Sequence, residues 1–270
     1  MRIAFLGGGN MAGALIGGLL AKGYAARDIS VIEVSPSARE KLAAQHGVRA
    51  SSAPDTATLE AHALVLAVKP QDMKAALSSL GASVSGKLVI SIAAGVRIDA
   101  LSRWLGGHQK LVRCMPNTPA LVGAGITALY AAPEVSLNER GEAEAILRAV
   151  GEVVWVDEER LLDPVTAVSA SGPAYVFWFI EQLASSGEKL GLPREVARKL
   201  ALHTVLGAGK RAAASNEPPE TLRRNVTSKG GTTEAALKVF DEERMAERFA
   251  RALEAASRRG AQLGDELGKD

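Results

Sequence analysis

Among 270 residues there is a single cysteine, Cys114. It can form no disulfide within the chain and cannot build a zinc cluster. Its context, LVRCMP, reads as the end of a buried strand, so a structural thiol is expected there. Histidine is scarce too. His46, His62, His108 and His203 share no spacing and read as structural or surface residues, so no metal site is expected. The net charge is only +2 and no basic face is concentrated in the sequence, which argues against nucleic acid as a partner. No apolar run is long enough to span a bilayer. The start, MRIAFLGGG, turns to glycine after four apolar residues and does not read as a signal peptide. A cytoplasmic protein without membrane contact fits these absences. Internal repeats and low-complexity segments are also missing.

What is present is an ordinary globular balance, 47 % hydrophobic and 23 % charged, with length enough for two domains. Up to about residue 156, short apolar runs alternate with helical stretches. RIAFL from Arg2, ISVIE from Ile29, ALVLAV from Ala63, LVISI from Leu88 and LVRC from Leu111 read as buried parallel strands, with a shorter strand GVRA from Gly47. ITALY from Ile126 and EVVWV from Glu152 read as further strands around a helix over 136–150. The rhythm predicts a doubly wound parallel sheet, an α/β domain of the Rossmann type over residues 1–160.

From residue 161 to 270 the sequence predicts an all-helical domain. Asp163 followed by Pro164 reads as a helix start, and one helix is expected from Val165 to Leu190. Another begins at Pro193, and SNEPPE from Ser215 is a clear break. The last helix sets Met245, Phe249 and Leu253 on one face. A stretch as apolar as Ala170 to Ile180 needs more cover than so small a domain supplies, so a homodimer through these helices is inferred.

Two regions could carry chemistry. RIAFLGGGNMA is a strand, a glycine turn and a helix matching G-x-G-x-x-A, the dinucleotide fingerprint. Gly7 permits the turn, Gly9 lets a pyrophosphate approach, and Ala12 lets helix pack on strand. Asn10 and Met11 open the helix whose N-terminus would face the phosphates. The second strand ends in VIEVSPSAR. Glu33 there suits a ribose 2′-OH and hence NADH, whereas Ser35, Ser37 and Arg39 suit the 2′-phosphate of NADPH. The cofactor is therefore read as NADPH or NADH, with the choice open. Ala67, Val68, Lys69 and Pro70 end another strand and should line the cofactor crevice. Ala93 and Ala94 are small enough for a nicotinamide to lie against. MPNTP, from Met115, is a rigid turn at a further strand end. The second region is VTSKGGTTEAAL, from Val226 to Leu237, a loop entering a helix. By spacing alone it is a helix start capped by Thr232 or Thr233.

Taken together, GGGNMA, AVKPQ, SIAAG, RCMPNTP, SASGPAY and VTSKGGTTEAAL, in that order along nearly the whole chain, resemble the pyrroline-5-carboxylate reductases of the 6-phosphogluconate dehydrogenase-like superfamily. The resemblance implies reduction of 1-pyrroline-5-carboxylate to L-proline, the last step of proline biosynthesis, by interlocked helical dimers often assembled into decamers. It implies that the substrate carboxylate rests against Gly230, Gly231, Thr232 and Thr233, with Thr233 beside the ring nitrogen. Glu159 and Asn225 match family positions near the cofactor. The chemistry needs no histidine: a protonated iminium is already electrophilic, and positioning supplies much of the catalysis. A threonine hydroxyl is a poor general acid alone, which leaves the proton donor open. Where the family often has asparagine facing the adenosine, this chain has Pro54 and Asp55, so NADH is expected to be usable. A β-hydroxyacid dehydrogenase would need a lysine and an asparagine on the long helix from Val165 to Ile180, which has neither. A catalytically inactive nucleotide sensor would not need an intact GGTT.

Overall fold

The computed structural model describes residues 1–269. The apolar runs form one eight-stranded sheet. Its strands are β1 (Ile3–Leu6), β2 (Ile29–Ile32), β3 (Arg49–Ser51), β4 (Ala63–Leu66), β5 (Leu88–Ser91), β6 (Leu111–Met115), β7 (Gly125–Ala131) and β8 (Gly151–Trp155). Their spatial order is 3-2-1-4-5-6-7-8. β1, β2, β4 and β5 are buried along their whole length, as strands covered on both faces must be. The order reverses between β1 and β4, and the crevice beyond their C-terminal ends is where such sheets bind ligands.

One pairing departs from the all-parallel expectation. β7 runs antiparallel to β6, with Val112 opposite Ala131 and Met115 opposite Ala128. Residues 116–124 are too few for the crossover that a parallel return requires. β8 is again parallel to β7.

The flanking helices are α1 (Asn10–Ala21), α2 (Pro36–His46), α3 (Thr56–Glu60), α4 (Met73–Ser78), α5 (Ile98–Trp104) and α6 (Leu137–Leu147). Local chemistry sets several ends. Ser35 accepts the Ala38 amide at the start of α2, Pro36 fills its first turn, and left-handed Gly47 stops it. Ser136 and Glu139 form a reciprocal capping box on α6. Asp55 caps α3 by accepting the Thr58 amide at 3.1 Å and pairs with Arg49 at 2.8 Å. That is a local structural duty for a residue expected on the adenosine side.

The single helix expected from Val165 is broken. α7 (Leu162–Val165) begins before Asp163, a π-type segment covers Thr166–Ala170, and α8 (Gly172–Lys189) follows. Thr166 donates its hydroxyl to the Leu162 carbonyl at 2.7 Å and Ser169 to Val165 at 3.1 Å, bonds that compete with regular helix. This matters for the division of the chain. Two compact units emerge: residues 1–171 with the chain from Ala255 onward, and Gly172–Glu254. Within the first unit, Asn117, in the MPNTP turn, donates to the Ser169 carbonyl at 3.2 Å. Asn117 also accepts the Ile126 amide at 3.0 Å, so this turn is a structural clasp.

The second unit holds α8, α9 (Arg194–Ala213), α10 (Pro219–Asn225), α11 (Thr232–Glu242) and the start of α12 (Met245–Leu267). Gly187 lets α8 and α9 approach closely: a Cβ there would stand 3.2 Å from that of Ala197. Tyr175 and Phe249 meet edge to face at 6.1 Å. Much apolar surface of this unit stays uncovered in a single chain, including Phe177, Trp178, Leu200, Met245 and Phe249. Among the described residues no helix is long and apolar enough to cross a membrane.

Candidate functional site

The glycine turn is built by sterics. Gly7 has φ 97°, and a Cβ there would stand 2.8 Å from both the Ala67 carbonyl oxygen and Val68 Cγ1. Only glycine lets the end of β1 touch the end of β4, which brings Gly7, Ala67 and Val68 together. Gly9 caps α1, and nothing lies within 4 Å of where its Cβ would be. The first amides of α1, at Asn10 and Met11, have no acceptor within the helix. Open backbone and unpaired amides at a helix N-terminus suit a pyrophosphate. Ala12 is fully buried behind them. Lys69 is exposed, and Pro70 starts a short 3-10 turn after β4.

At the end of β2, Glu33 faces the glycine turn. Its carboxylate accepts the Gly8 amide and the Ser35 amide, each at 2.8 Å. Arg39 folds back and donates to the Glu33 carbonyl at 2.7 Å and the Val34 carbonyl at 2.9 Å. Ser35 and Ser37 hydroxyls lie 3.1 Å apart. The acid thus sits beside the phosphate turn, while the arginine that would greet a 2′-phosphate is engaged by the backbone.

β5 ends in a loop carrying buried Ala93 and half-buried Ala94, followed by left-handed Gly95. Glu159 secures the far end of this loop. Its carboxylate accepts the Ile98 amide, the first of α5, at 2.8 Å, and Arg113 Nη1 at 3.1 Å. Arg113 is 4 % exposed and also faces Asp163 at 4.0 Å. Glu159 therefore stands at the loop that follows Ala93 and Ala94, not at the phosphate turn.

The second unit carries the other candidate residues. α11 begins at Thr232, with Gly231 as its cap and no side-chain cap, so neither threonine plays that part. Gly230 is left-handed at φ 72°. Its amide is taken by Glu234 at 2.7 Å, and that of Gly231 by the Ser228 carbonyl at 3.0 Å. The donors left for an anion are the first-turn amides of Thr232, Thr233 and Glu234. The glycines thus shape the turn, their own amides being engaged within it, while the first turn of the helix leaves its amides open. Asn225, the last residue of α10, donates to Glu217 at 3.3 Å.

Sequence reasoning missed the roles of Gly8, Arg113 and Glu234. Glu234 was legible in principle, since a glutamate three residues after a helix cap commonly reaches back. Arg113 had no local signal, because its partners come from distant segments. Cys114 is the buried thiol expected; burial pushes its pKa up, and it donates to the Ser91 carbonyl at 3.2 Å. His62 accepts the Arg2 amide at 3.2 Å, and His108 bonds the Lys87 carbonyl at 3.0 Å. Among the described residues, no group of three histidine, cysteine, aspartate or glutamate side chains could hold a metal.

Comparison with known proteins agrees with this geometry. The family description "Pyrroline-5-carboxylate reductase dimerisation" matches residues 159–263, and "NADP oxidoreductase coenzyme F420-dependent" matches residues 2–95. A pyrroline-5-carboxylate reductase of Pseudomonas aeruginosa is 45 % identical over 99 % of this chain and 98 % of its own length. The structure of a pyrroline-5-carboxylate reductase from Coxiella burnetii superposes with TM-score 0.93 at 41 % identity, covering 97 % of this chain and 98 % of that one. The Plasmodium falciparum enzyme, solved with NADP bound, gives TM-score 0.85 at 29 % identity, covering 98 % of each chain. With a nucleotide turn in one unit, an anion-ready helix start in the other and relatives matched end to end, the chain belongs to the pyrroline-5-carboxylate reductase family.

Proposed function

We propose that this chain reduces 1-pyrroline-5-carboxylate to L-proline with NADH or NADPH, the last step of proline biosynthesis, and that it does so in the cytoplasm as a homo-oligomer built on its helical unit. The observation that carries the reading is the start of α11, where the amides of Thr232, Thr233 and Glu234 lack helical acceptors beside two exposed threonine hydroxyls. A small carboxylate fits three converging amides, and the helix dipole favours its charge.

The nucleotide fits the other unit on independent grounds. The cradle at Gly9 is open, and the α1 amides await an anion. Gly7, Gly9, Asn10 and Met11 would hold the pyrophosphate, Glu33 and Ser35 the adenosine ribose, and Ala67, Val68, Lys69 and Pro70 the crevice wall. Ala93 and Ala94 would bound the nicotinamide side, with Glu159 fixing their loop. Bound NAD(P)H supplies the hydride. The protein's own work is to hold the ring by its carboxylate and to orient its nitrogen. Thr233 would orient the nitrogen with its hydroxyl and could pass on a proton, directly or through water. Positioning of this kind can account for much of a rate enhancement.

The direct test mixes purified protein with 1-pyrroline-5-carboxylate and either nucleotide, following nucleotide absorbance and L-proline by chiral analysis. Equimolar proline and oxidised nucleotide are expected. Nucleotide binding without any proline would sink the reductase reading in favour of a sensor.

A further inference from the structure

The loop that bounds the nicotinamide side is itself gripped by the C-terminal end of α12, and we infer that Arg97, seated on that helix end, is a positioning residue for the cofactor. The inference rests on the reading that Ala93 and Ala94 face the nicotinamide.

The grip is built from two glycines and one arginine, all within the first unit. Gly95, two residues after Ala93, has φ 77°, and a Cβ there would stand 3.0 Å from Leu267 Cδ1 and 3.5 Å from Leu263 Cβ. On the helix side, a Cβ at Gly264 would stand 2.9 Å from Arg97 Nε and 3.1 Å from its Nη2. The guanidinium therefore lies directly on the bare backbone of Gly264. From that seat it donates to the Ala261 carbonyl at 3.2 Å and pairs with Asp265 at 2.7 Å. Arg103 of α5 adds a bond to the Gly268 carbonyl at 2.7 Å.

The Arg97–Asp265 pair is too exposed to be a large source of stability. What the arrangement supplies is geometry. Arg97 is the cap residue of α5, so its backbone ends the loop that Ala93 begins. The opposite restraint is Glu159, which holds the next amide, at Ile98. The loop is thus fixed by a carboxylate from one side and by the helix end from the other. A nicotinamide displaced by even an ångström from its productive position loses rate steeply. The helix end, remote in sequence, would then set cofactor placement without touching the cofactor.

Two full-length variants test this. Arg97→Gln removes the fork. Gly264→Val fills the guanidinium's seat and, on helix propensity alone, favours the helix. Each is titrated with NADPH and with 2′-phospho-ADP-ribose, which keeps the adenosine half and lacks the nicotinamide, and each is assayed for KM and kcat. The expected result is an NADPH Kd and KM raised about fivefold or more with lowered kcat, while 2′-phospho-ADP-ribose binds within twofold of wild type. Unchanged NADPH constants would overturn the inference. So would equal weakening of both ligands with a lowered Tm, since that is general loosening of the fold. Ala94→Leu reports separately on the underlying reading. If it leaves NADPH binding intact, the loop does not face the nicotinamide, and the inference falls with that reading.

Discussion

The Glu33 carboxylate accepts the Gly8 amide at 2.8 Å, joining the acidic end of β2 to the phosphate turn after β1. A 2′-phosphate on the adenosine ribose would bring a second negative charge close to this acid. Near a protein surface two charges about 4 Å apart repel by up to ~4 kcal/mol, where ~1.4 kcal/mol is already tenfold in affinity. NADH should therefore serve as a substrate. In Glu33→Ser the ratio of kcat/KM for NADPH to that for NADH should rise at least tenfold. Initial rates with both nucleotides check this, and a ratio unmoved by the substitution would place Glu33 away from the ribose.

Arg113 is buried and its nearest acid is Glu159. Removing Glu159 leaves the buried Arg113 facing only the more distant Asp163, at 4.0 Å, and breaking a buried pair costs roughly 3 kcal/mol. Glu159→Ala should lower the unfolding free energy by that much, read as a lower urea midpoint at an unchanged m-value, and should weaken NADPH binding through the freed Ile98 amide. Urea unfolding and nucleotide titration on the same preparation separate the two effects.

Much of this was readable in the sequence, and where it was not, the cause is physical. β1, β4 and β5 are continuous apolar runs because both their faces are covered, and the glycine turn announces itself by spacing. The antiparallel β6–β7 pair was hidden because the apolar pattern of a strand carries no direction. The break over Thr166–Ala170 depends on two hydroxyls bonding back along the helix, which composition permits without requiring. At the site, the positions of Gly7 and Gly9 followed from the fingerprint. The engagement of Arg39 by the backbone, the Arg113–Glu159 pair and the use of the Gly230 amide by Glu234 depend on three-dimensional neighbours. So does the grip of α12 on Gly95 and Arg97.

Glu139 predicts the acid limb of stability. Burial alone would raise its pKa, but hydrogen bonds from Lys110 and from Ser136 outweigh this and hold it at about 2, against an ordinary 4.5. A depressed carboxylate contributes its stability above the unfolded value and loses it as pH falls through the folded one. The contribution should be complete above about pH 4.5 and disappear toward pH 2. Thermal unfolding across that window should show a shallower fall in Tm for Glu139→Gln than for wild type.

Phe177 and Trp178 are 62 % and 54 % exposed on α8 in a single chain. Large aromatics left uncovered on one helix suit a subunit contact. Light scattering of the purified protein should give a dimer or a multiple of it. Phe177→Glu should shift the mass toward that of one chain at micromolar concentration, while Lys189→Glu at the end of the same helix should leave it unchanged.

The most direct test of the proposed chemistry is turnover by Thr233→Ala, measured with 1-pyrroline-5-carboxylate at saturating nucleotide beside the nucleotide Kd of the same variant. Groups that handle a proton in the transition state are worth about a hundredfold or more. The expected result is a loss of that order in kcat/KM for the imine, an unchanged nucleotide Kd, and substantial recovery in Thr233→Ser. Turnover by Thr233→Ala at the wild-type rate would contradict the proposal and move the chemistry away from the start of α11.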